Sequence, residues 1–326
     1  MESNILESTK KIKEKISSNL EDVNEQSREY IKDIITLINK EIGINKILSI
    51  LLFGSQRAKS EATAVSDCDL LIIFKNRVSN HHIKEIEKYF IALEIKHKFR
   101  EFDKKFTKRI LGVIQQTTGI FVSHFLTKLK YWEGATFHKI FRVNRVFSAV
   151  FAPRNIVLGN VITNSTILYG NDIKEKIKPK IQITFIEMIK STIMNLMISL
   201  FSLVISLLKK LEPTKYQLTA IKWALKASNF YCFRDSEKLE TIIKRFISFE
   251  IPKAQKKANK FFDNFLYLRK NPRNDMNFML RCPIRIMKIH LKAIINKKLT
   301  SRNRKKRILT NIFDQCIPDR TFPLRI

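Results

Sequence analysis

Two carboxylates and a Gly-Ser pair lie close together between residues 49 and 74. Gly54 and Ser55 follow an apolar run, which predicts a buried strand that ends in a tight turn. Eleven residues separate Ser55 from Asp67, and Asp69 comes two positions later, where the run DLLIIF predicts a second strand. Because side chains two apart on a strand point to the same face, both carboxylates are expected to converge on one point.

Converging carboxylates repel each other unless a cation neutralises them. Carboxylate oxygens suit Mg²⁺, with Mn²⁺ as the alternative, and such an ion also binds the phosphates of a substrate. The backbone N–H groups of Gly54 and Ser55, with the Ser55 hydroxyl, could hold a phosphate tail. Arg57 and Lys59 follow closely and could reach phosphate oxygens, although a solvated basic pair is the alternative interpretation.

The motif resembles the signature of the DNA polymerase β-like nucleotidyltransferase superfamily, over residues 48–75. That signature has an apolar residue before Gly-Ser, a spacer of about ten residues, and two acidic residues two positions apart at a strand start. Phe53-Gly54-Ser55 and Asp67-Cys68-Asp69 match it here, and a charged turn between two buried strands is the alternative. The resemblance implies an α+β fold, with a small mixed-sheet nucleotidyltransferase domain followed by an all-helical domain.

The resemblance also implies a reaction, in which metal ions held by three carboxylates orient a nucleoside triphosphate such as ATP. Asp67 and Asp69 would be the catalytic metal ligands, while Gly54 and Ser55 would bind phosphate. During transfer of the nucleoside monophosphate, two metal ions would offset the negative charge that develops on the attacking and leaving oxygens. This activity is the first of three functional hypotheses for the chain.

The third carboxylate is missing from its expected place. No Asp or Glu occurs between Asp103 and Glu133, an interval that contains the predicted third strand at 117–127. His124 has a plausible position and could ligate Zn²⁺ or Mn²⁺ better than Mg²⁺, although a structural histidine is the alternative. Asp103 or Glu133 could instead supply an oxygen from a loop. A second hypothesis is therefore a nucleotide- or RNA-binding protein with weakened catalysis.

The charge is strongly positive and uneven along the chain. The 326 residues, enough for two domains, include 61 Lys and Arg against 30 Asp and Glu, for a net charge of +31. Residues 251–326 carry 20 basic and 4 acidic side chains, which gives +16. A polyanion such as RNA is the favoured partner and acceptor, ahead of a protein or small molecule, while an anionic membrane or a solvated basic face is the alternative.

The sequence suggests four parts, divided where its pattern changes. The charged stretch at 171–180, which contains Pro179, marks the main boundary. The predicted parts are a helical lead-in at 1–47, a nucleotidyltransferase catalytic domain at 48–172, a helical substrate-binding domain at 180–296 and a basic tail at 297–326. Cysteines without C-x-x-C spacing and an N-terminus without an apolar signal core predict a cytoplasmic location.

Residues 191–208 form an uncharged segment that just reaches the length of a membrane span. Small polar residues recur in it at spacings of three and four: Thr192, Asn195, Ser199, Ser202 and Ser206. A helix buried on most of its circumference explains that pattern better than a span, and a membrane-associated protein is the third hypothesis. A second apolar block at 221–233 is predicted to pack against it, with its aromatic residues in the core: Trp223, Phe230, Tyr231 and Phe233.

Overall fold

The computed structural model describes residues 20–54, 68–99, 124–206, 213–235 and 237–316. Within these ranges, four strands form one mixed sheet, and a series of long helices follows it. The predicted α+β class, with a small mixed sheet before a helical C-terminal part, is therefore confirmed.

The sheet contains β1 (Ile47–Phe53), β2 (Asp69–Phe74), β3 (His124–Lys128) and β4 (Thr166–Gly170), in the order β3-β2-β1-β4. β1 is antiparallel to both β2 and β4, whereas β2 and β3 are parallel. The strands are continuous apolar runs because both faces of the sheet are covered. β1 and β2 lie where the sequence predicted them, and β3 lies at the end of the predicted third strand, whose residues before 124 are outside the described ranges.

Two helices cover one face of the sheet. α1 (Glu25–Glu41) begins at Asn24, whose side chain accepts a hydrogen bond from the Ser27 N–H at 2.8 Å. α2 (Asn80–Lys96) follows β2 and precedes the parallel strand β3 along the chain, and Ser79 caps its N-terminus. Because α1 shares its apolar core with the sheet, the described part of the predicted lead-in packs as part of this unit.

Four shorter helices lie along the chain between β3 and β4: α3 (Leu129–Glu133), α4 (Phe137–Ile140), α5 (Arg145–Val150) and α6 (Arg154–Thr163). Side chains from α3, α4 and α6 form a second core with the opposite face of the sheet, around Leu71, Phe125 and the fully buried Trp132. α6 also contributes Ile156 to the core of the C-terminal helices. It therefore joins the two parts of the chain, whose exact boundary stays a prediction.

The C-terminal part contains five helices within the described residues: α7 (Phe185–Ser206), α8 (Pro213–Phe233), α9 (Leu239–Ser248), α10 (Pro252–Lys270) and α11 (Met276–Cys316). Pro213 and Pro252 begin helices, as proline does readily because its missing N–H is not needed there. Pro283 lies inside α11. The predicted basic tail is helical as far as Cys316, because α11 continues into it.

α7 buries small polar residues together with some of its apolar ones, while its opposite side is apolar and exposed. Ser191, Asn195, Ser199 and Ser202 are fully buried, whereas Leu200 is 52% exposed. The sequence predicted that α7 is buried on most of its circumference. That prediction is wrong, because one apolar side of the helix is exposed. Phe185–Val204 is long and apolar enough to cross a membrane, a property that core helices of soluble proteins share.

Candidate functional site

The carboxylate of Asp69 lies directly against Gly54. β1 and β2 pair so that Phe53 lies opposite Asp69, which brings the residue after Phe53 beside the start of β2. Gly54 has a φ of 80°, and a β-carbon built on it would lie 2.2 Å from Asp69 Oδ2. Only glycine fits there, because any other residue would be strained and would also displace the carboxylate.

Gly54 and Asp69 form one wall of a cleft between the sheet and two helices. α6 and the residue that follows it contribute one amide side chain each, and α8 contributes two ammonium groups and an indole ring. The residues that line the cleft are Phe53, Gly54, Asp69, Asn160, Val161, Asn164, Lys222, Trp223 and Lys226. The tertiary fold thus brings Gly54 and Asp69 together with residues of α8 more than 150 positions later.

Lys222 and Lys226 give the cleft a cationic side. They are four residues apart on α8 and therefore lie on the same face of that helix. Ammonium groups are mobile point charges that suit phosphate oxygens. Together with the carboxylate of Asp69, they provide both signs of charge at one cleft, as an anionic substrate bound with a cation requires.

Trp223, next to Lys222 in the sequence, adds an aromatic surface to the cleft. Its side chain is half-buried and lines the cleft, so the prediction that it lies in the core is wrong. Phe230 and Tyr231 are buried as predicted, and Phe233 is 40% exposed. An exposed indole face can stack on a nucleobase, whichever base it is.

Buried hydrogen bonds fix α6 in its place beside the cleft. Oε2 of Glu187, at the start of α7, accepts from the backbone N–H of Asn155 at 2.9 Å, in the first turn of α6. Burial raises the pKa of the Glu187 carboxyl, which the bonds from α6 partly offset. Along α6, Asn160 Nδ2 donates to the Ile156 carbonyl at 3.0 Å. These bonds hold the amide group of Asn160 at the cleft wall.

The structure does not bring His124 to Asp69. His124 pairs with Leu70 across β2 and β3, so its side chain points to the face of the sheet that α1 and α2 cover. There its Nδ1 lies 2.7 Å from Glu94 Oε1, and both side chains are only 3% exposed. Phe125 is the next residue of β3 and belongs to the core on the Asp69 side. The hypothesis of His124 as a metal ligand beside Asp69 therefore gains no support.

Glu133 is also engaged elsewhere, since its carboxylate forms an ion pair with Lys176 at 2.8 Å. Within the described ranges, no group of three or more His, Cys, Asp or Glu side chains could hold a metal ion. The remaining predicted positions lie outside those ranges and stay predictions: Ser55, Arg57, Lys59, Asp67 and Asp103.

Sequence reasoning did not identify the contribution of α8 to the cleft. The available signal was the pair Lys222 and Lys226, two charges at helical spacing inside the otherwise apolar block 221–233. Charged side chains on such a helix need either solvent or a partner. The sequence could not show whether these lysines face solvent or a partner, because that depends on which element packs against this side of α8.

No protein-family model matches the chain, and no curated protein matches it significantly. Among solved structures, the chain is similar to spectinomycin adenyltransferase AAD(9) from Enterococcus faecialis, solved with ATP and spectinomycin. The match has a TM-score of 0.47 and 8% sequence identity, and it covers 81% of this chain and 98% of the other. A likeness at this level identifies neither an activity nor site residues for this chain.

Proposed function

We propose that this chain is a nucleotidyltransferase that moves a nucleoside monophosphate from a nucleoside triphosphate to an acceptor. The observation that carries the proposal is the placement of Asp69, held against Gly54 and facing a cleft lined by Lys222 and Lys226. Two residues of the sequence motif, Gly54 and Asp69, thus line the same cleft as two lysines that lie outside the motif.

Four residues of the cleft would bind the triphosphate. The ammonium groups of Lys222 and Lys226 would pair with phosphate oxygens. The indole of Trp223 would stack on the base, and the backbone N–H of Gly54 would donate to a phosphate beside Asp69. This arrangement would hold the triphosphate beside the Asp69 carboxylate.

The donor chemistry also fits Mg²⁺, with Mn²⁺ as a substitute. Mg²⁺ commonly binds through one or two carboxylates together with substrate phosphates and water. Asp69 would be one ligand, and Asp67 is the second in our proposal. A bound Mg²⁺ supplies neutralisation of the negative charge on the triphosphate.

One observation favours a second function, nucleotide binding without efficient transfer. β3 places Phe125 on the Asp69 side of the sheet, where the resemblance would require a carboxylate on this strand. Within the described residues, the cleft contains the carboxylate of Asp69 and no other. A chain that keeps the cleft but lacks this ligand would bind a nucleotide and transfer it slowly.

For the acceptor, we propose RNA. The support is the net charge of +31, because Lys and Arg side chains neutralise phosphates and release counterions. Binding to RNA should therefore weaken steeply as salt increases, which a filter-binding titration measures. An RNA affinity that is the same at low and high salt would contradict the choice of acceptor without affecting the proposed transfer.

The transfer itself is tested by incubating the protein with each α-labelled nucleoside triphosphate, Mg²⁺ or Mn²⁺, and RNA, protein or small-molecule acceptors. We expect labelled acceptor with the wild type and at least about 100-fold less with Asp69→Asn. Asp263→Asn is the matched control, because Asp263 is exposed on α10 and lies outside the cleft.

Three outcomes separate the alternatives. Label transfer that survives Asp69→Asn would overturn the site assignment. Nucleotide binding without transfer to any acceptor would establish the second function. The absence of nucleotide binding would refute both.

A further inference from the structure

The outward side of α7 is a stripe of exposed apolar side chains. After an adjacent pair at the start of the helix, they recur every three or four residues, which keeps them on one face. The stripe contains Phe185, Ile186, Ile189, Ile193, Met197, Leu200 and Val204, of which Ile186 and Val204 are more than 60% exposed. A helix at the surface of a globular domain ordinarily turns its polar side outward.

α11 has a second stripe of the same kind. Its exposed apolar residues are Met276, Leu280, Ile284, Met287, Leu291 and Ile295. α7 and α11 are antiparallel neighbours, since Asn195 contacts His290 and Met188 contacts Lys297. The two helices therefore lie side by side, and we call their two exposed stripes together the α7–α11 face.

Buried hydrogen bonds hold the apolar side of α7 outward. Ser199 Oγ donates to Gln217 Oε1 at 2.5 Å, and Ser202 Oγ donates to the Pro213 carbonyl at 2.5 Å. Rotating α7 to bury Leu200 would expose these hydroxyl groups and leave their partners unsatisfied, at a cost in free energy. The same bonds oppose removal of α7 from the bundle to span a bilayer. The exposure is thus imposed by the packing of the protein.

The charged residues of α7, and of α11 as far as Arg307, are almost all basic. Residues 185–206 and 276–307 contain a single acidic residue, Glu187, whose side chain is buried. Arg281 and Lys288 are exposed on α11 beside the apolar stripe. α11 then continues through a strongly basic run: Lys297, Lys298, Arg302, Arg304, Lys305, Lys306 and Arg307.

We propose that the α7–α11 face docks onto an anionic membrane surface. Apolar side chains that enter the interface, flanked by Lys and Arg that meet acidic headgroups, are the combination that peripheral binding requires. RNA would account for the positive charge but not for the apolar stripes. A second copy of the chain would cover the apolar stripes but would bring two basic surfaces together.

The test uses the full-length protein and sedimentation with vesicles. One set contains phosphatidylcholine alone, and the other contains phosphatidylcholine with phosphatidylserine. We expect binding to the anionic set that weakens with salt, and about tenfold weaker binding for the double variant Val204→Gln with Ile284→Gln. This proposal does not depend on the proposed transferase activity.

The matched control is the double variant Val146→Gln with Ile251→Gln. It makes the same two substitutions at residues that are 72% and 70% exposed and lie outside the face. Circular dichroism checks that both variants are folded, and we expect the control to bind vesicles as the wild type does.

Several results would overturn the proposal. They are equal binding of the face variant and the wild type, equal binding to neutral and anionic vesicles, and an equal loss in the control. A dimer that the face variant dissociates, without vesicle binding by the wild type, would assign the face to a second copy. A loss of RNA binding in the face variant, again without vesicle binding, would assign it to RNA.

Discussion

Asp69 Oδ2 occupies space that any side chain at position 54 would need, since a β-carbon there would lie 2.2 Å away. The carboxylate is therefore positioned by the absence of a side chain at Gly54. This contact gives the Gly-Ser motif a steric role at the start of β2, in addition to the phosphate binding that its backbone suggests.

Gly54→Ala should lower both stability and nucleotide turnover. The left-handed φ of 80° costs an alanine about 1–2 kcal/mol, and the displaced Asp69 carboxylate would lose its place in the cleft. Gly43→Ala is the control, because Gly43 has a φ of 90° and lies outside the cleft. Urea unfolding should show a loss in both variants, and label transfer should fall only in Gly54→Ala. Equal turnover in the two variants would contradict the steric role.

Lys222→Gln and Lys226→Gln should each weaken binding of a nucleoside triphosphate by about tenfold, because each removes one charge-assisted contact to phosphate. The weakening should be smaller for a nucleoside monophosphate, which carries fewer phosphate oxygens. Isothermal titration calorimetry measures both affinities. Lys244→Gln, at an exposed position of α9, should bind both ligands as the wild type does. An unchanged triphosphate affinity in both cleft variants would remove the lysines from the site.

Trp223 should report nucleotide binding by its fluorescence. The chain has two tryptophans, and the other, Trp132, is fully buried with its indole N–H donated to the Ile173 carbonyl at 2.9 Å. A base stacked on Trp223 should quench its emission, and Trp223→Leu should abolish the quenching and weaken binding by about tenfold. Trp132 remains in that variant as an internal reference. Quenching that persists without Trp223 would place the nucleotide elsewhere.

The buried ring of His290 should make stability depend on pH. Its Nε2 accepts from Asn195 Nδ2 at 3.1 Å, and its Nδ1 lies 3.0 Å from the Tyr231 hydroxyl. Complete burial lowers the pKa of His290 from its usual 6.5 to about 3. Between these two values, the unfolded chain binds a proton that the folded chain does not, so this contribution to stability falls as the pH falls.

Replacing this ring should therefore change the pH dependence as well as the stability. His290→Gln should lower the free energy of unfolding at pH 7 by about 1–3 kcal/mol, because buried partners lose their hydrogen bonds. The difference in unfolding free energy between the variant and the wild type should narrow as the pH falls from 6.5 towards 3. Only the wild type has the buried ring, so only the wild type loses this contribution to stability. Urea unfolding across that range measures both effects, with His82→Gln at an exposed helix terminus as the control. A constant difference would contradict the role of the buried ring.

The sequence alone determined the local features of this protein. Long apolar runs defined β1 and β2, since residues buried on both faces of a sheet must be apolar throughout. The Gly54 turn and the place of Asp69 at the start of β2 follow from residue type and spacing. The helical C-terminal part follows from the periodicity of its apolar residues and its small number of glycines.

Only the tertiary structure decided which distant residues meet. The register of β3 against β2 turned His124 towards Glu94, because a shift of one residue would reverse the face of every side chain on that strand. The packing of α8 placed Lys222 and Trp223 opposite Asp69. Buried hydrogen bonds turned the apolar side of α7 outward, against what its hydropathy predicts. Such choices depend on the shape and polarity of the neighbouring element, which spacing within one segment does not encode.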